Sequence, residues 1–132
     1  MTLVDTNVVI DLTSKPTEWF DWSVERLTDA RIRGDVFIND IVFAELASRY
    51  VDETQLEKHI IQFRLAVRRV PRRALFRAGQ AFAQYRKAGG ERSNVLSDFF
   101  IGAHAEEVEV PLLTRDPKVY RTYFPRLQLI TP

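Results

Sequence analysis

The sequence predicts an α/β domain, a parallel sheet buried between layers of helices. Three observations lead there. Short, uninterrupted apolar runs recur at residues 1–5, 36–38, 111–114 and 127–130, as expected of strands buried on both faces. Longer segments between them carry apolar residues at helical spacing. The two kinds of segment alternate, which favours parallel strands joined by helices. The length of 132 residues suits one domain, 1–132, and no repeat, low-complexity stretch or linker divides it.

The elements follow in order. Met1 to Asp5 is the first strand, and Thr6 to Leu12 a short helix. Pro16 stands near a helix start, where proline is tolerated. Trp19, Phe20, Trp22, Val24, Leu27, Ala30 and Ile32 then keep helical spacing up to Gly34, a C-terminal stop. Residues 36–38 form the next strand. Asn39 or Asp40 can cap a helix with Val42, Phe43, Leu46, Ala47 and Tyr50 on its apolar face. Leu56, Ile60, Phe63 and Val67 predict another helix, starting near Asp52 or Thr54. Arg69-Val70 is a weak strand ended by Pro71. Leu75, Ala78, Phe82 and Tyr85 make the apolar stripe of a long helix that stops at Gly89-Gly90. Residues 91–96 read as a loop and Ser97 as the cap of a helix over 98–107. A strand at 111–114, a short helix after Asp116-Pro117 and a strand at 127–130 complete the chain.

Composition excludes several classes. Hydrophobic residues make up 45% of the chain, enough for a core, and the net charge is only +1, so disorder is not expected. No apolar run approaches the roughly 20 residues that span a bilayer. The start, MTLVDTNVV, has neither a basic flank nor a small-residue cleavage site. A cytoplasmic location is therefore the default expectation, with no membrane partner. The small net charge hides an asymmetry. Residues 1–60 carry a net −6, residues 64–92 a net +8 and residues 93–132 a net −1. The basic block, nine Lys/Arg against Glu91 alone, can attract a polyanion or simply face solvent.

The acids at the predicted strand ends matter most, because ligands of parallel sheets bind outside the carboxyl ends of the strands. Asp5 ends the first strand, Asp98 opens a helix, and Asp116 follows the fourth strand. Glu45 lies within a helix, bordering apolar Val42 and Leu46, where burial is costly unless something pairs it. Crowded carboxylates repel one another and take up protons. A divalent cation relieves that repulsion and prefers oxygen ligands. With no cysteine and two histidines, a zinc-type site is not expected. Each acid also has an ordinary explanation. Asp5 and Asp116 suit turns or caps, Asp98 suits a first helical turn, and Glu45 can pair with Arg49 at i+4. Spacing alone leaves both explanations open.

Four segments resemble a known family. They are Val4-Asp5-Thr6-Asn7-Val8-Val9-Ile10-Asp11; Phe43-Ala44-Glu45-Leu46; Leu96-Ser97-Asp98-Phe99-Phe100-Ile101-Gly102-Ala103-His104-Ala105; and Leu112-Leu113-Thr114-Arg115-Asp116-Pro117 with the tail 120–130. In order and separation they resemble PIN-domain ribonucleases, and among these the VapC-type toxins of bacterial toxin–antitoxin pairs. The resemblance implies a three-layer α/β/α, PIN-like domain with a central parallel sheet of about five strands. It implies Asp5 and Asp98 as metal ligands, Glu45 and Asp116 completing the catalytic set, and Mg²⁺ or Mn²⁺ as cofactor. Thr6, Asn7 and Thr114 would orient the acids or their waters. The implied activity is endoribonuclease cleavage of structured RNA such as tRNA by metal-activated water. A homodimer and an inhibitory antitoxin are the implied protein partners.

Around that site, Arg72, Arg73, Arg77 and Arg92 are candidate RNA contacts. His104 and His59 read as packing and surface residues, and Trp19 and Trp22 as core or dimer contacts or as stacking platforms. Two rival functions stay open: a non-catalytic RNA-binding or assembly module, and a housekeeping RNA-processing nuclease without an antitoxin.

Overall fold

The computed structural model describes residues 1–14, 17–92 and 95–132. Five parallel strands, β1 (Thr2–Val4), β2 (Val36–Asn39), β3 (Ala66–Arg68), β4 (Leu112–Leu113) and β5 (Leu129–Ile130), form one sheet in the order β3-β2-β1-β4-β5. Among the described residues seven helices connect them: α1 (Thr6–Thr13), α2 (Phe20–Arg33), α3 (Asp40–Ala47), α4 (Glu53–Gln62), α5 (Arg72–Lys87), α6 (Leu96–Glu107) and α7 (Lys118–Tyr123). The expected α/β architecture is the one observed.

From β1 the chain steps outward to β2 and β3, then returns across the sheet to β4 and continues to β5. Right-handed connections therefore place α1–α4 on one face and α5–α7 on the other. Helix contacts divide the same way, except that α3 also touches α6. The central strands are buried from both sides, with Leu3, Val4, Ile38, Leu112 and Leu113 fully inaccessible, which explains their uninterrupted apolar runs. Among the described residues no helix is long and apolar enough to cross a membrane.

Several expectations shift by a turn or less. The Arg69-Val70 strand lies instead at Ala66–Arg68, and Val67 belongs to it rather than to the preceding helix. The reason is the end of α4. Arg64 adopts a left-handed φ of 54°, and Leu65 N–H closes back onto the Ile60 carbonyl. That turn releases the chain early enough to pair beside β2. Asn39, not Asp40, caps α3, its Oδ1 accepting from Val42 N–H. Its amide also meets buried His104 at 3.2 Å, so His104 is a packing residue as read. On α5 the buried stripe is Ala74, Ala78 and Ala81, while Leu75 is exposed. Small alanines let α5 lie close against α6, the most extensive helix pairing in the domain. Gly89, at φ 91°, ends α5 as expected. Helix α6 already begins at Leu96 and has no side-chain cap, so Ser97 sits inside its first turn. Pro16 and residues 93–94 of the expected loop lie outside the described residues.

Packing on the α5–α7 face is close at Gly102. A methyl group there would come within 2.7 Å of the Phe124 ring and 3.0 Å of the Tyr120 ring, and both rings are buried. Gly102→Ala should therefore destabilise the protein by about 1–3 kcal/mol, the usual cost of overpacking. Urea unfolding checks this, and an unchanged midpoint would contradict the packing.

Candidate active site

The site grows from the carboxyl ends of β1 and β4. From β1 the chain turns toward one face of the sheet, and from β4 toward the other, which makes their junction the switch point where a crevice opens. Asp5 follows β1 directly and caps α1, its Oδ1 accepting from Thr6 N–H at 2.7 Å. Thr114 follows β4, and its hydroxyl donates to Asp5 Oδ2 at 2.7 Å. Two residues on, Asp116 N–H donates back to that Thr114 oxygen at 3.1 Å. The two strand-end acids are thus tied through one hydroxyl.

The other two acids arrive on helices. Glu45 stands on α3 and is held by two hydroxyls, Thr6 Oγ1 at 2.6 Å from Oε1 and Ser97 Oγ at 3.1 Å from Oε2. Asp98 sits one residue after Ser97 in the first turn of α6, where the partial positive charge of the helix end favours an anion. All four acids line a single cavity of about 230 Å³, together with Thr6, Asn7 and Ile10. Asp5 forms its floor, only 4% exposed, and Asp116 stands exposed at the rim. Among the described residues no Lys or Arg lines this cavity.

The electrostatics follow from that absence of cations. Asp98 is pushed up to about 7, first by burial and then by repulsion from Asp5, Glu45 and Asp116. Asp5 is also pushed up, by burial, against the opposing pull of hydrogen bonds from Thr114, Tyr120 and Thr6. Among the described residues no three Asp, Glu or His side chains are yet close enough to share one ion. The acids face one another across the cavity, as mutually repelling anions do. A hard cation with oxygen preference, carrying its own waters, fits such a donor set.

Asn7 and Thr114 are linked beside Asp5. Asn7 Nδ2 reaches Thr114 Oγ1 at 3.2 Å, and its Oδ1 accepts from Arg115 N–H at 3.1 Å. Three further side chains join the site that were not among the expected site residues. Tyr120, on α7, donates from its hydroxyl to Asp5 Oδ2 at 2.9 Å. Ser97 braces Glu45 rather than capping its helix. Arg115 grips buried Asp11 through Nε at 2.6 Å and Nη2 at 3.1 Å, and its guanidinium lies over the Trp19 ring. That pair anchors the segment carrying Thr114 and Asp116 onto α1. A buried tyrosine needs a hydrogen-bond partner, and this was the available signal for Tyr120.

The candidate arginines lie apart from the cavity. Arg77 is half-buried between the Glu106 carboxylate, 3.2 Å from Nε, and the Tyr123 carbonyl, 2.9 Å from Nη2. Arg73 faces Glu107 at 3.5 Å. Glu106 and Glu107 close α6 at the end opposite Asp98, eight residues or about 12 Å along the axis. Arg92 is exposed on the segment after α5, its N–H donating to the Tyr85 hydroxyl at 3.2 Å.

With that geometry in view, the relatives are informative. A family model for the PIN domain matches residues 2–125. The chain belongs to the PIN-domain family. Among solved structures it is similar to VapBC2 from Rickettsia felis bound to promoter DNA, with 22% identity, 99% of this chain and 98% of that one covered, and a TM-score of 0.72. It is similar to FitAcB from Neisseria gonorrhoeae at 20% identity, 98% and 96% coverage and a TM-score of 0.72. DNA-bound VapBC from Salmonella typhimurium matches at 20% identity, 98% and 96% coverage and a TM-score of 0.71. At such identities the likeness is one of fold. No curated protein matches in sequence.

The raised Asp98 sets a pH dependence. Its carboxyl titrates near 3.8 when unfolded and near 7 when folded, so between those values the folded state binds more protons. Its contribution to stability therefore falls as pH rises from about 4 to about 7, then levels off. In EDTA at pH 8, Asp98→Asn should be more stable than the parent by about 1–3 kcal/mol, allowing for partial solvent screening. Urea unfolding across pH checks this. A variant less stable than its parent at pH 8 would contradict the repulsion.

Proposed function

We propose that this protein is a divalent-metal-dependent endoribonuclease and the toxin of a VapBC-type toxin–antitoxin pair. The supporting observation is the cavity in which Asp5, Glu45, Asp98 and Asp116 converge from β1, α3, α6 and the β4 end, with no cationic side chain among the described residues that line it. Membership of the PIN-domain family supports nuclease chemistry there. The similar VapBC and toxin–antitoxin structures support an antitoxin partner.

In this reading Asp5 and Asp98 hold Mg²⁺ or Mn²⁺, and Glu45 and Asp116 position the attacking water or hold a second ion. A bound divalent ion supplies a polarised phosphoryl oxygen and a water acidic enough to attack at neutral pH. The protein supplies alignment. Thr6 and Ser97 fix Glu45, Thr114 and Tyr120 fix Asp5, and the Arg115–Asp11 pair fixes the segment bearing Asp116. Ionised Asp98 is the ligand form, and a cation between the carboxylates lowers its affinity for protons. The substrate is RNA with an accessible single-stranded or looped segment, because A-form duplexes hide their base edges; structured RNA such as tRNA fits. Exposed Arg72 and Arg92 are left to dock the backbone, together with Arg73, which stays 88% exposed beside Glu107, whereas Arg77 is half-buried between its protein partners. A basic residue of an inserted antitoxin segment would compete with metal for the same four acids. A homodimer completes the proposal, and sedimentation of the purified chain tests it.

The purified protein should cut RNA in Mn²⁺ and stop in EDTA. Asp98→Asn should lower the rate at least 100-fold while keeping a cooperative unfolding transition. Undiminished cleavage by that variant would overturn the assignment. RNA binding without cleavage by the parent would favour an assembly module. Arg72→Ala with Arg73→Ala should weaken RNA binding and reduce the slope of log affinity against log salt by about 1–2, near one per lost phosphate contact. An unchanged slope would return these two side chains to a solvated face.

A further inference from the structure

Tyr120 is built into the acidic site although an apolar ring would fill its place in the core. Its ring is 1% exposed and packs against Gly102 of α6, one helical turn beyond Asp98. Its hydroxyl lies 2.9 Å from Asp5 Oδ2 at the end of β1, and its nearness favours the charged form of Asp98 on α6. A phenol is neutral near pH 7 and carries a single proton to donate.

Counting lone pairs shows what that proton does. A carboxylate offers about four acceptor sites, two on each oxygen. Asp5 Oδ2 accepts from Thr114 Oγ1 and from Tyr120 Oη, with Asn7 Nδ2 a more distant third donor at 3.5 Å, so both of its sites are used inside the protein. Oδ1 accepts from Thr6 N–H, which leaves one site free. We propose that Tyr120 is a positioning residue: with Thr114 it occupies Oδ2 and presents Asp5 to a divalent cation as a one-oxygen ligand through Oδ1. The proposal rests on the cavity being a divalent-ion site. Held this way, Asp5 cannot chelate with both oxygens. That suits a small octahedral ion, which takes few carboxylates and keeps several waters for chemistry.

Tyr120→Phe isolates the claim, because it keeps the ring and removes one oxygen. Mn²⁺ alone is titrated into the parent, Tyr120→Phe and Asp98→Asn by calorimetry at pH 7.5, and each melting temperature is recorded in EDTA. Tyr120→Phe should melt within a few degrees of the parent, yet bind Mn²⁺ about 10-fold more weakly or worse, the scale of effect seen when a partner of a metal ligand is lost. Its RNA cleavage should lose kcat with little change in KM. Thr114→Val removes the other donor to Oδ2 and should weaken Mn²⁺ in the same direction, which keeps the test decisive if the phenylalanine variant folds poorly. If Asp98→Asn abolishes Mn²⁺ binding while Tyr120→Phe and Thr114→Val match the parent, the positioning role is wrong and the ion site stands. If the parent binds no Mn²⁺, the reading of the cavity fails first and the proposal falls with it.

Discussion

A carboxylate that is 4% exposed, with no cationic side chain beside it among the described residues, is the constraint around which the rest of this domain is arranged. Asp5 sits at the end of the central strand, and its partners are two hydroxyls, an amide N–H and the more distant Asn7 side chain. Burying an unpaired charge is expensive, and hydrogen bonds offset only part of the cost. The repulsion that Asp5 shares with Glu45 and Asp98 persists in the folded protein and shows in the raised Asp98. A fold that keeps such a feature gives up stability at that point, as functional sites do.

Topology makes the gathering possible. The β1–β4 junction is where successive connections leave for opposite faces, so the crevice there is open without any loop having to be cut back. Glu45 and Asp98 come from the helix layers on either face, and α3 meets α6 at this point. Thr6, Ser97 and Thr114 are small hydroxyl residues placed between the acids, donating to carboxylates without adding charge. Arg115 does carry charge, but it is turned away onto Asp11 and Trp19. The negative potential of the cavity is thereby preserved while the segment after β4 is still anchored.

Much of this was legible in the sequence, for definite reasons. Strands buried on both faces leave uninterrupted apolar runs, so 36–38 and 112–113 were readable directly. The four acids stood at readable places, three beside strand ends or helix starts and one bordering an apolar helix face. What escaped depended on contacts distant in sequence or on a single dihedral angle. The left-handed turn at Arg64 moved β3 forward, and arginine carries no signal for that conformation. The α5 stripe ran through Ala74 and Ala81 rather than Leu75, because which face α5 buries is decided by its packing on distant α6. Tyr120 drew no role of its own, since nothing local reveals that its hydroxyl meets an acid 115 positions earlier. Ser97 had the composition of a cap, yet its hydroxyl serves Glu45, 52 residues away.

The basic block shows the opposite lesson. Its charge was plain in the sequence, but Arg77 is taken up by Glu106 and the Tyr123 carbonyl, so net charge overstated what is free to meet a polyanion. The central claim concerns the acids, and anomalous X-ray diffraction from crystals soaked in Mn²⁺ tests it most directly. An anomalous peak is expected in the cavity about 2.1–2.2 Å from an oxygen of Asp5 and one of Asp98, close to the bond lengths of small octahedral ions. Density confined to other acids, such as Glu106 and Glu109, or no peak at saturating Mn²⁺, would contradict it.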